Sequence, residues 1–227
     1  GICELIDGRV SIKSIRDVNI EDLLGRESIK IKDPEVVNFI KNKKAMRVFM
    51  TAFFFYIAYG LITPFWIPYY VTANHFTSSE IGLALTSFTV IGLILSLFVG
   101  IWCDKWNKQY IFFIACIIYI AGFIIGWNVS NLYTLWIFAI LFGIGFVIMQ
   151  VVFYALIPEV APKEKIGEYM GINNIFLCVP QIIGSILGGY LLQVGYGELL
   201  FPISIAALII ACVIIGYGKL EENKKLA

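Results

Sequence analysis

The chain has 227 residues and a formal net charge of +1; 59% of its residues are hydrophobic, only 15% are charged, and the mean hydropathy is +0.85. A soluble domain carries about a quarter charged residues, so this composition excludes an ordinary soluble enzyme, and the near-zero net charge offers no footprint for nucleic acid. Of the 33 charged residues, 18 fall within residues 1–47. What remains is a series of apolar runs with charges clustered between them, the pattern of a multi-span membrane protein with a polar N-terminal segment.

Residues 1–45 form that polar segment, expected to be cytoplasmic. Asp17 or Asn19 could cap a short helix that Gly25 ends, with Glu21 and Asp22 in its first turn. Ile29-Lys-Ile31-Lys alternates like a strand, and Asp33-Pro34 opens a further short helix. Asp7-Gly-Arg-Val-Ser and Ile15-Arg-Asp-Val-Asn-Ile-Glu-Asp-Leu-Leu-Gly-Arg26, within residues 5–32, resemble the linker before the catalytic domain of nucleotide-sugar dehydratases of polysaccharide biosynthesis. In that family a glycine-rich dinucleotide loop follows. Here Lys43-Lys44 leads directly into an apolar run, and Gly143-Ile-Gly145 sits inside another with no strand before it. The resemblance carries no catalytic residue and implies a fused or rearranged reading frame, or the remnant of such an enzyme; no enzyme activity and no cofactor are expected.

From about residue 46 to 227 the chain reads as six spans, near 48–72, 80–102, 110–127, 132–157, 168–193 and 199–217. Each is long enough to cross a hydrocarbon core of about 30 Å as a helix. Backbone groups in lipid need internal hydrogen bonds, and no run shows the period-two alternation of a barrel strand, so the fold class is an all-α membrane protein. Lys41, Lys43, Lys44 and Arg47 precede the first span, Lys105 and Lys108 follow the second, Lys163 and Lys165 follow the fourth, and Lys219, Lys224 and Lys225 close the chain. The alternate loops, 72–79, 128–131 and 194–198, hold no Lys or Arg. The positive-inside rule then places both termini in the cytoplasm, with the cell membrane as the expected location. Trp66, Tyr69, Tyr70, Trp102, Trp106, Trp127, Tyr133 and Trp136 read as interfacial anchors.

No Asp, Glu, Lys, Arg or His lies in the middle of a span, and the single histidine, His75, is in a loop. An intramembrane proton relay is therefore not legible here, nor is a nucleophile with a base beside it. Cys3, Cys103, Cys116, Cys178 and Cys212 share no close spacing; the last four read as small packing residues, implying neither a disulfide nor a metal. Uncharged polar residues do enter the spans. Tyr56, Tyr59 and Thr63 fall on one helical face, with Pro64 and Pro68 loosening the far end of that helix. Gln150 is in span four; Asn173, Asn174 and Gln181 are in span five beside Pro180. These groups either tie helices together or line a cavity for a neutral, hydroxyl-rich solute. Gly184-Ser-Ile-Leu-Gly188 is a small-xxx-small pattern that lets two helix backbones approach closely.

The turn Gly100-x-x-x-Asp104-Lys105-x-Asn107-Lys108-Gln109 resembles the cytoplasmic loop motif of the major facilitator superfamily, with Asn107 and Gln109 as departures. Asn107 tolerates the left-handed turn that glycine would make there, so the turn can survive the departure. Ala155-Leu-Ile-Pro-Glu159 through Gly171, with Asn173-Asn174 and Pro180-Gln181, looks most like the C-terminal half of sugar-type members, the sucrose and glycoside–pentoside–hexuronide permeases. The resemblance implies half of a twelve-span transporter that moves a small organic solute by alternating access. Its partners would be the bilayer, the solute, and either an N-terminal six-helix half or a second copy; the alternative is a non-transporting six-helix fragment. Gly100, Asp104, Lys105, Asn107 and Lys108 would form a gating turn, with Asp104 accepting hydrogen bonds from the start of span five near Gly167. Lys105 and Lys108 would hold Asp104 ionised and anchor the turn to anionic lipid.

Overall fold

A computed structural model describes residues 42–217. The expectations for the polar N-terminal segment, its resemblance to a dehydratase linker and the basic C-terminal tail lie outside the described residues.

Every span is a helix because a run of twenty or more apolar residues has no other way to satisfy its backbone in lipid. The helices are α1 (Lys43–Ile62), α2 (Trp66–Ala73), α3 (Ser78–Lys105), α4 (Lys108–Trp127), α5 (Leu132–Val160), α6 (Ile166–Gln193) and α7 (Leu200–Gly216), with 3-10 turns at Lys163–Lys165 and Gly197–Leu199. No strand occurs among the described residues. Counted with their flanking turns they make six membrane-length units, Lys43–Ala73, Ser78–Lys105, Lys108–Trp127, Leu132–Val160, Lys163–Gln193 and Gly197–Gly216. These match the six expected spans to within a turn or so at each end.

Local chemistry sets the ends. Asn42 caps α1, its side-chain oxygen accepting from the Ala45 N–H at 3.1 Å. Thr77 and Glu80 form a reciprocal capping box at the start of α3, and Asn131 and Thr134 another at the start of α5. The first span is two helices rather than one. Pro64 has no N–H to give the Gly60 carbonyl, so the α-helical ladder stops at Ile62 and resumes at Trp66. The Gly60 oxygen thus released accepts the Ser185 hydroxyl from α6 at 3.3 Å.

Adjacency follows a simple plan. α1 packs on α6 and α7, α5 packs on α3 and α4, and α4 packs on α7. α1 and α5 meet through aromatic rings, Phe55 on Phe153 at 5.6 Å and Tyr59 on Phe146 at 4.6 Å. The apolar window of the first span is 56% buried, but those of α3 and α6 are only 17% buried. The bundle therefore has a packed centre around α1 and α5, and its two flanking helices are largely uncovered.

The α1–α6 contact is backbone on backbone. A Cβ added at Gly60 would collide with the Gln181 carbonyl, one at Gly184 would stand 2.5 Å from the Ile57 oxygen, and one at Gly188 would stand 2.9 Å from the Leu61 oxygen. The small-xxx-small stretch of span five thus lies on the first span, as its pattern suggested.

Two interfacial expectations change. Trp66 and Tyr70 are 4% and 1% exposed, and the Tyr70 hydroxyl donates to the Gly126 carbonyl at 2.5 Å. They stand beside the break in the first span, where α2 turns its rings onto Phe138 and Phe201, so they are core residues and not outward anchors. Trp102 and Trp106 are exposed, and their rings lie nearly parallel, 6.4 Å apart.

Candidate solute site and charged turn

The charged turn joins α3 to α4 and is built around the start of α4. Asn107 is the N-cap, its side-chain oxygen accepting from the Gln109 N–H at 2.8 Å. Its φ is −63°, ordinary extended backbone, so the left-handed conformation that asparagine tolerates is not used here. The reason is that α4 begins at the very next residue, which makes position 107 a helix cap, and a cap takes extended backbone.

Lys108 reaches across to α5 and pairs with Glu159. The expectation that it would hold Asp104 is replaced by this contact, because the pair brings together the first turn of α4 and the last turn of α5. Gln109 donates from Nε2 to the Ile215 carbonyl at 3.0 Å, fastening the same turn to the end of α7. Asp104 and Lys105 are exposed at the end of α3, and Gly100 is half-buried, with open space where a Cβ would be. Asp104 makes no hydrogen bond with the first turn of α6, since α3 packs chiefly against α5. The turn therefore combines three side chains spent on this bundle (Asn107, Lys108, Gln109) with an acid and a base left facing outward.

The seven expected cavity residues divide. Tyr56 is 2% exposed between α1 and α5, its ring 5.9 Å from Phe153, and its hydroxyl has no hydrogen-bond partner. Tyr59 follows one turn later with its ring 6.4 Å from that of Tyr56, half-buried and stacked on Phe146. Thr63 ends α1, its backbone N–H bonded to the Tyr59 carbonyl and its buried hydroxyl unpartnered. Asn173 is 1% exposed on the face of α6 that carries Tyr169, Pro180 and Gly184, and neither of its amide atoms has a partner. Gln150 is half-buried on α5, and Asn174 is exposed on α6. Gln181 is half-buried beside a shallow cleft on α6 with Cys178, Ile182, Ser185 and Ile186. Tyr56, Tyr59 and Thr63 are thus brought together, Asn173 is buried on α6, Asn174 is on the uncovered side of that helix, and Gln181 is half-buried with its backbone against Gly60 of α1.

One residue escaped the sequence reading. Tyr119 of α4 is fully buried with an unpartnered hydroxyl, and its ring lies 5.5 Å from Phe55 and 5.1 Å from Phe142. A tyrosine in the middle of an otherwise apolar span was the available signal. Burying a hydroxyl or amide without a partner costs about 1–3 kcal/mol by mutational measures, so these orphaned groups are the chemically unfinished part of the bundle. Three aromatic hydroxyls beside stacked rings can bind a flat or ring-shaped solute through both its faces and its polar edge. Among the described residues no cluster of His, Cys, Asp and Glu is arranged for a metal.

Six membrane-length helices around a core holding orphaned polar groups, with a charged turn on one face, define a multi-pass helical membrane protein. The chain belongs to the Major Facilitator Superfamily, whose family model matches residues 48–226. It is 32% identical over 182 residues to the uncharacterized MFS-type transporter MJ1560 of Methanocaldococcus jannaschii, covering 79% of this chain and 46% of that one. It is 25% identical over 197 residues to the quinolone resistance protein NorA of Staphylococcus aureus, covering 80% and 50%. The bundle also matches the crystal structure of a bacterial homolog of the human lysosomal transporter Spinster, inward-facing and unoccupied, with a TM-score of 0.62 at 14% identity, covering 78% of this chain and 42% of that one. The chain thus spans about half the length of the relatives it matches. The Methanocaldococcus jannaschii relative is named as a transporter.

Proposed function

We propose that this bundle is one half of a secondary transporter that moves a small organic solute by alternating access across the cell membrane, with the Lys-bearing face cytoplasmic. What carries the reading is the family match across residues 48–226, joined to polar atoms of Tyr56, Thr63 and Asn173 that are buried and unpartnered. The other half is a second six-helix unit, supplied by a separate segment or a second copy, which would cover the exposed faces of α3 and α6. In the assembled transporter Asp104, free of this bundle, accepts hydrogen bonds from a helix N-terminus of the opposite half and holds the cytoplasmic side shut. The exposed Lys105 would anchor the turn to anionic lipid.

For the solute, a sugar fits the amide and hydroxyl groups of Gln150, Asn173, Asn174 and Gln181. An aromatic organic compound is the second reading, favoured by the Tyr59–Phe146 stack, 4.6 Å between centroids and 17° between planes. The quinolone in the name of the Staphylococcus aureus relative is a compound of that kind. The test is uptake into proteoliposomes carrying the chain, alone and joined to the N-terminal half of the Methanocaldococcus jannaschii relative, screened across sugars and planar aromatic compounds. Saturable uptake that Asp104→Asn reduces without loss of membrane insertion supports the proposal. Absence of saturable uptake in both forms overturns the transporter reading; uptake indifferent to Asp104→Asn overturns the gate.

A further inference from the structure

Helix packing runs from α6 to α1, α7, α4, α5 and α3 in turn, an arc with α3 and α6 at its two ends. Both end helices are 28 residues long. They are the second and fifth spans, so they cross the membrane in opposite directions. Their apolar windows are only 17% buried, and each carries a line of small and polar residues.

On α3 the line is Gly82, Thr86, Thr89, Leu93 and Ser96; on α6 it is Gly171, Asn174, Cys178, Gln181 and Ser185. Every one of them is exposed or half-buried. A Cβ added at Gly82 or Gly171 would meet nothing within 4 Å. Neither glycine therefore serves a close contact inside its own bundle, although glycine weakens a helix. Cys178, which the sequence suggested as a packing residue, is exposed as well. Among the described residues the side-chain amides of Asn174 and Gln181 have no hydrogen-bond partner, and lipid offers them none. A helix side built this way faces protein or solute, and small residues are what let another helix backbone come close.

The two lines also match each other. Along α3 the steps are four, three, four and three residues, and α6 read backwards from Ser185 repeats them. Alternating steps of this kind keep one line against a partner in a shallow left-handed crossing. Each line covers about 21 Å of helix, most of a hydrocarbon core about 30 Å thick. Laid antiparallel, Gly82 meets Ser185, Thr89 meets Cys178 and Ser96 meets Gly171. Leu93, 74% exposed and the largest apolar member, falls opposite Asn174. A two-fold axis along the membrane normal supplies this antiparallel pairing, because it sets α3 of each copy against α6 of the other and makes the same contact twice.

We infer that a second copy of this chain covers both faces, pairing α3 with α6 across a two-fold axis. The inference rests on the reading of this bundle as one half of a transporter, and it names the other half. Asp104, at the cytoplasmic end of α3, then stands beside the N-terminus of α6 in the second copy, which is the helix start that the closed gate requires.

The experiment uses the full chain in membranes, expressed together in two differently tagged forms. One carries Thr89→Cys with Cys178→Ser, and the other is unaltered. Both are oxidised with copper(II)–phenanthroline in air, in which the copper complex carries the electrons to dioxygen. A disulfide demands Cα atoms within about 7 Å. The expected product is a linked dimer bearing both tags, reversed by reduction, whose joined peptides contain position 89 of one copy and Cys178 of the other. Ile117→Cys with Cys178→Ser is the control for chance collision, since that position is 69% exposed on α4 at the back of the arc; it should give no such product. Absence of the doubly tagged dimer overturns the inference, as does an equal yield from the Ile117→Cys form. Gly171→Leu in the otherwise unaltered copy should suppress the link while leaving that chain folded, because open space surrounds the position within one bundle; an undiminished link overturns the face assignment. Solute uptake separates this inference from the reading beneath it. Uptake only by the chain joined to the N-terminal half of the Methanocaldococcus jannaschii relative, with no link in the chain alone, overturns the second copy and leaves the transporter standing. A link with no uptake in either form supports the second copy and removes the transporter.

Discussion

Gly184 of α6 rests against Gly60 of α1 with no room for a methyl group between them. A Cβ at Gly184 would be 3.1 Å from the Gly60 carbonyl carbon and 2.5 Å from the Ile57 oxygen. Both offending atoms belong to backbone, so neither can swing aside.

Gly184→Leu is therefore expected to force α1 and α6 apart and to cost at least the ~1–3 kcal/mol typical of overpacking. Thermal unfolding in detergent reads it as a lowered midpoint. Gly100→Ala is the matched control, because open space surrounds that position and Ala is favoured over Gly in a helix by about 0.5–1 kcal/mol. Equal loss in both variants would mean that the close approach is not what glycine serves at position 184.

The Lys108–Glu159 pair joins the charged turn to the end of α5, with side-chain exposures of 12% and 30%. Partial burial raises it above a surface pair, whose worth is about 0–1 kcal/mol. Lys108→Met and Glu159→Gln should each lower stability, and the double variant should lose less than the sum of the two. A double-mutant cycle measures this directly; strict additivity would show the contact to be energetically idle.

Asn42 makes three bonds from one side chain: it caps α1 through Ala45, and its amide donates to the Val160 carbonyl at 2.8 Å and to the Tyr169 hydroxyl at 3.3 Å. It ties the beginnings of α1 and α6 to the end of α5. Asn42→Ala should cost about 1–2 kcal/mol for the lost cap and the unpaired carbonyl. Asn42→Asp keeps the cap but loses the two donated bonds, so its loss should be intermediate. If Asn42→Asp is as stable as the parent chain, the cap alone matters.

Asn173 makes the opposite forecast. Its amide is buried with neither atom partnered, so Asn173→Leu should raise the unfolding temperature of this chain, since an apolar replacement of similar size removes an unsatisfied group. The same change should abolish uptake in an assembled transporter. A lowered unfolding temperature would mean that the amide has a structural partner and would remove Asn173 from the solute site.

The membrane class, the number of spans and their ends were legible in the residues, because lipid leaves a long apolar run only one backbone arrangement and charges collect where the chain leaves it. The break in span one was signalled by Pro64 and Pro68, and the close approach of span five by Gly184 and Gly188. The candidate site was legible only in part. Tyr56, Tyr59 and Thr63 share a face by spacing alone, but spacing within one helix says nothing about which neighbour covers that face. Hence Tyr119 was missed, Asn174 falls on the uncovered side, Gln181 has its backbone in the α1–α6 contact, and Trp66 and Tyr70 moved from interface to core.

The turn at 100–109 shows the same division. Its composition alone determined that the chain leaves the membrane there, and its Gly/Asp/Lys spacing pointed to the family that the match across residues 48–226 establishes. Only the tertiary structure decided what each residue does: Asn107 caps α4, Lys108 holds Glu159, Gln109 holds α7, and Asp104 stays exposed. Local periodicity specifies a helix and its ends; the pairing of helices depends on shape across the seam, which sums over residues distant in sequence and appears only when the bundle is assembled.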